Sequence, residues 1–208
     1  MFKNLLIRDL KLAYYTSSNF FFIASFFLLI VILIPFIFGT NVNDLKLIFQ
    51  GLIWIGITLA LLLTLDRIFS SDFNDGNLDI ILKSGLSYET IALAKLLSVW
   101  IINCFPIIII LPIASFIFDL NFYEIMRTEL NLFLGSIGMT ATAIGISSLT
   151  LGLKRMIYLK SIIILPLYIP FIIFGVDLDS WSIIFALSMI AVVISLFVTS
   201  YSLRLYGE

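Results

Sequence analysis

Seven charged side chains crowd one stretch of an otherwise apolar chain: Asp66, Arg67, Asp72, Asp75, Asp79, Lys83 and Glu89. Carboxylates do acid-base or metal chemistry only when other groups converge on them. This sequence has no histidine and a single cysteine, Cys104, set in an apolar run without metal-ligand spacing. No G-x-x-x-x-G-K-S/T phosphate loop is present either, so any nucleotide hydrolysis must be supplied in trans. What remains is recognition of another protein through charge. Asn74-Asp75-Gly76-Asn77 reads as a turn, Leu78 to Lys83 as a short apolar-rich helix, and Ser84-Gly85 as a second turn. Ser87 follows as a helix cap. A short helix held between turns can pass a partner's movement to neighbouring spans. Composition alone leaves a solvated acidic loop equally open.

The elements that must hold this stretch are membrane helices. Of 208 residues, 62% are hydrophobic and 12% charged, which is unlike a water-soluble domain. A span needs about 20 apolar residues, and the apolar blocks run approximately over 19–39, 47–65, 92–116, 130–153, 158–176 and 181–203. The expected fold is therefore an all-α membrane protein of six transmembrane helices, a single domain over 1–208 with a loop at 66–91. Ahead of the first span, Phe2, Leu5, Leu6 and Ala13 recur at helical spacing against Lys3, Asn4, Arg8 and Lys11. That pattern predicts an interfacial helix over 1–18. The near-neutral charge of -1 offers no field for nucleic acid.

Placing the N-terminus in the cytoplasm puts ten of the twelve lysines and arginines inside, leaving only Lys46 and Arg127 outside. Both termini and the 66–91 loop are then expected to be cytoplasmic, together with a second loop carrying Lys154 and Arg155. All five prolines, Pro35, Pro106, Pro112, Pro166 and Pro170, fall inside expected spans, where each removes a backbone donor and favours a kink. Gly138, Ala141, Gly145, Ser148 and Gly152 form a small-residue stripe that lets another helix approach closely. Cys104 and Met139, in apolar runs, read as packing.

Gly51-Leu52-Ile53-Trp54, Leu65-Asp66-Arg67-Ile68-Phe69, Asp72 and Asp75-Gly76-Asn77-Leu78-Asp79 together resemble the CcmB family, haem exporter protein B of cytochrome c maturation. Leu93-Ala94-Lys95, Gly152-Leu153-Lys154-Arg155 and Leu165-Pro166-Leu167-Tyr168-Ile169-Pro170 follow in matching order, so the resemblance covers nearly the whole chain. Asp66 stands where many relatives carry Glu, which keeps the charge, and Met156 where glycine is usual. The resemblance implies an ABC-2-type permease subunit without enzyme activity or a cofactor of its own. Its expected partners are a separate ATPase that uses ATP, haem-handling membrane proteins and a haem chaperone; a homodimer is compatible with it. It maps Asp66, Arg67, Asp72, Asp75, Gly76 and Asp79 to the ATPase-coupling loop. It implies a bacterial inner membrane, with the mitochondrial inner membrane as the alternative. An exporter permease for another amphipathic substrate and a passive membrane scaffold are the competing readings.

Overall fold

A computed structural model describes residues 2–16, 19–38, 42–152 and 157–207. Ten α-helices make up these residues: α1 Phe2–Thr16, α2 Asn19–Phe38, α3 Val42–Leu65, α4 Arg67–Asn74, α5 Asn77–Leu82, α6 Tyr88–Asn103, α7 Phe105–Ile117, α8 Phe122–Leu149, α9 Ile157–Val176 and α10 Trp181–Gly207. Among the described residues, five stretches are long and apolar enough to cross a membrane: Ile48–Asn74, Tyr88–Ile117, Phe122–Leu149, Leu159–Val176 and Trp181–Gly207. The chain is thus a multi-pass membrane protein. In the first apolar block, the described residues offer only a shorter apolar helical stretch, Phe27–Ile37.

Three elements differ from the sequence-based expectation. The acidic segment is mostly helical: α4 carries on from α3 after a one-residue turn at Asp66, and α5 follows through Gly76, whose φ of +70° costs least in a residue without Cβ. The carbonyl of Leu65, freed where α3 ends, accepts a hydrogen bond from Ser147 Oγ at 3.0 Å. The third block is two helices, α6 and α7, meeting at Cys104; Pro106 opens the second, where a missing N–H costs least. The fourth helix begins at Phe122, eight residues before its apolar block, because Asn121 and Glu124 form a capping box that starts it early. The Ser87 cap does form, accepting from Thr90 N–H at 3.3 Å.

The core is organised around α8. Helix α10 runs parallel to it, and Ser188, Ser195 and Ser202 donate to the carbonyls of Leu134, Ala141 and Ser148, the first at 2.7 Å and the last at 2.6 Å. A constant offset of 54 residues and a seven-residue interval describe two helices in coiled-coil register. The small-residue stripe makes this closeness possible: a Cβ on Gly138 would stand 2.7 Å from Ser188 Oγ. Gly152 lies past the end of α8 with φ +79° and belongs to a turn, not to the stripe. Replacing all three serines by alanine is expected to cost about 0.6 kcal/mol per bond, read as a lowered unfolding midpoint in detergent.

Two ends of the bundle are polar. At one, Lys46 pairs with Glu124 at 2.9 Å, and Asn131 Nδ2 donates to the Asp177 carbonyl at 2.8 Å. At the other, α1, α4, α5 and the end of α10 gather: Phe73 packs edge-on against Tyr206 with ring centroids 5.4 Å apart, and Arg8 reaches Asp72.

Candidate functional site

On this second face four charges form a network, three of them buried and Arg8 half-buried. Asp72 lies on the buried side of α4 with Ile68 and Phe69, 3% exposed. Arg8 of α1 binds its Oδ1 at 3.0 Å, and the ammonium of Lys95 on α6 binds its Oδ2. Asp9 completes the set, taking Arg8 at 2.7 Å and Lys95 at 3.0 Å. Two cations and two carboxylates balance, as burial requires: an unpaired charge there would keep its full desolvation penalty. Phe69 lays its ring 5.9 Å from the Lys95 ammonium, adding a cation–π contact. The four residues come from three elements, so the network ties α4 to both α1 and α6.

The six positions expected in a coupling loop are not equivalent. Asp72 is buried and paired on both oxygens. Asp66, just before α4, stands 3.9 Å from the Lys160 ammonium of α9. Arg67 and Asp75 are exposed at the two ends of α4, and together with Asp72 they line one cavity. Gly76 makes the turn into α5, and Asp79 is exposed in the first turn of that helix. Beside it Ile80 is 69% exposed, an apolar side chain turned outward from the short helix. Lys154 and Arg155 lie outside the described residues.

Three residues of this site escaped the sequence reading. Asp9 falls on the same helical face as Phe2 and Leu5, and an acid on an apolar stripe signals a buried partner. Lys95 lies inside an apolar block, two turns into α6, the same signal from the other charge. Arg8, expected on the wet side of an interfacial helix, is half-buried because its guanidinium bridges two carboxylates. Helix α1 accordingly packs on α6, with Asp9 paired to Lys95, a contact that a helix merely lying in the interface would not need.

The Gly51-Leu52-Ile53-Trp54 segment has a packing role. Trp54 is fully buried, and its indole fills the space left by the missing side chains of Gly135 on α8 and Gly175 on α9. Met139 and Cys104 are also fully buried; Cys104 Sγ is 3.6 Å from Thr140 Oγ1, and Tyr168 Oη donates to the Met139 carbonyl at 3.1 Å. Among the described residues, no group of three or more Cys, Asp or Glu side chains is placed to hold a metal.

The model of the family described as CcmB protein matches residues 1–206. This chain belongs to the CcmB family. Among curated relatives, the Heme exporter protein B of Bradyrhizobium diazoefficiens is 32% identical over 212 residues, covering 96% of each chain. That of Rhodobacter capsulatus is 35% identical over 174 residues, 84% of this chain and 80% of the relative. The protein of the same description from Escherichia coli K12 is 30% identical over 180 residues, with 84% and 80% covered. The CcmB match takes in every part of the ionic network and the Trp54 socket, so both features sit within the family region of the chain.

Proposed function

We propose that this chain is the membrane permease subunit of an ATP-binding-cassette complex required for cytochrome c maturation. It couples ATP hydrolysis by a separate subunit to haem delivery or to release of a haem-loaded chaperone. In this reading α2 completes six spans of ABC-2 type, and both termini face the cytoplasm of a bacterial inner membrane. The chain catalyses nothing and binds no cofactor; ATP belongs to the partner, and haem is the molecule handled. The relatives' description as Heme exporter protein B supports the pathway.

The observation that carries the coupling is the place of Asp72. Helix α4 is fastened through it to α1 and α6, so force applied to α4 and α5 moves those helices as rigid bodies instead of being lost in a loose loop. Exposed Asp79 and Ile80 offer an ATPase both charge and an apolar contact. Depleting the chain is expected to abolish covalent haem staining of c-type cytochromes; unchanged staining overturns the reading. Haem accumulating on the chaperone places the block at release.

The double change Asp75→Ala and Gly76→Ala tests the loop separately. A Cβ at φ +70° adds about 1–2 kcal/mol of local strain, too little to unfold the protein but enough to turn α5 away from its docking position. The expected outcome is normal membrane accumulation with most ATP-dependent maturation lost. Retention of both assembly and maturation removes this segment from the coupling path.

A further inference from the structure

A cavity of about 210 Å³ runs beside the ionic network, walled by α1, the end of α3, α4 and α6. At one end it meets Arg67, Ser71 and Asp75, all exposed on α4; at the other it reaches Val99, Ile102 and Asn103. Asn103 is the last of the sixteen residues of α6, about 24 Å along the helix from its start, and a bilayer's hydrocarbon core is about 30 Å thick. A space with charged and polar side chains among its walls therefore extends from the α4–α5 face deep into the spanning part of the protein.

The hydrogen bonding of its walls says what fills it. Thr64 Oγ1 donates to the carbonyls of Ala60 and Leu61, Ser98 Oγ to that of Lys95, and Asn103 Nδ2 to that of Val99. These donors are committed to the backbone, and their oxygens are left as acceptors. Asn103 is 2% exposed and its Oδ1 has no partner. Asp9 Oδ2 also lacks a hydrogen bond, having only the ion pair with Lys95. Pro106, four residues after Ile102, has no N–H to offer the Ile102 carbonyl at the same end. Charged, hydroxyl and amide side chains along a space that opens to the surface are the setting in which water is held.

We propose that this cavity is a water-filled vestibule, entered from the α4–α5 face between α1, α4 and α6 and closed at Asn103. Its water lies along Asp9, Lys95, Ser98 and Asn103. Hydration along one side lowers the desolvation penalty that the buried charges Asp9, Asp72 and Lys95 would otherwise carry, so the network can hold α4 to α1 and α6 at less cost. The vestibule itself depends on no reading of the cargo.

Cysteine accessibility tests it, since thiols react as thiolates and a dry site suppresses ionisation. In a Cys104→Ser background, Ser98→Cys and Asn103→Cys are treated with a small cationic methanethiosulfonate in vesicles holding the chain with its native partners. The reagent is applied on the face that holds the termini. Exposed Ser71→Cys sets the fast limit and fully buried Ala114→Cys the slow one. Ser98→Cys is expected to react about a hundredfold faster than Ala114→Cys, with Asn103→Cys on the same side of the scale. Rates nearer to Ala114→Cys overturn the vestibule. Should Asn103→Cys fail to accumulate, Ser98→Cys decides alone. Because modification rate is the readout, failure here is separate from any loss of cytochrome maturation.

Discussion

Replacing Asp72 with alanine is expected to lower the stability of the solubilised protein by about 3–5 kcal/mol, the loss that follows when one member of a buried ionic set is removed. Lys95 is 6% exposed and would keep only Asp9, while Arg8 would lose its link to α4. Asp72→Asn keeps the shape but leaves an excess positive charge, so it should fall almost as far. The informative variant is the double change Asp72→Asn with Lys95→Met, which removes one charge of each sign and leaves the Arg8–Asp9 pair intact. Balanced removal of a buried pair is often neutral, so folding should return. Cytochrome maturation should not, because α4 would no longer be fastened to α6. Unfolding midpoints and haem staining on the same three variants separate these effects; a double variant that matures cytochromes normally would sink the role given to the network.

The second large effect is expected at Gly175. Its Cα faces the Trp54 indole so closely that an added methyl would overlap Cε2 and Cζ2 of the ring. The ring has no retreat, since Gly135 on α8 closes the other side and Trp54 is fully buried. Overpacking of this kind costs about 1–3 kcal/mol, and Gly175→Val should exceed Gly175→Ala. Trp54→Phe placed with Gly175→Ala should recover part of the loss, because a smaller ring vacates the overlap. A neutral Gly175→Ala, judged by thermal unfolding in detergent, would mean that α9 does not sit against α3 as described. Trp54→Ala alone leaves a cavity and is expected to cost about 3–5 kcal/mol.

Particular residues show how much of this was legible in the sequence. The turn at Gly76, the helix after it and the Ser87 cap were readable because glycine at a polar turn and serine before a helical run act through their own backbone. Helix α4 was hidden: Asp66, Arg67, Asp72 and Asp75 look like a solvated loop until Ile68, Phe69 and Asp72 are seen to share a buried side. The break at Cys104 was half visible, since Pro106 announces a disturbed helix without saying whether it bends or restarts. Gly138, Ala141 and Gly145 marked a contact face, whereas the serines that meet it on α10 show their meaning only as a pair of helices in register.

Hydropathy, charge bias and local turn chemistry by themselves determined that this is a multi-pass helical protein with one charged segment between spans. Those signals are local or cumulative: each residue contributes through its own transfer energy or its own φ. Only the tertiary structure decided that Asp72 is a buried hub, that Asp9 and Lys95 are its partners, and that Trp54 fills the place of two glycines. Such roles belong to pairs separated by 23 residues for Lys95 and Asp72 and 64 for Arg8 and Asp72. The energy of a buried charge depends on what faces it across the fold, and no window of sequence contains that neighbour.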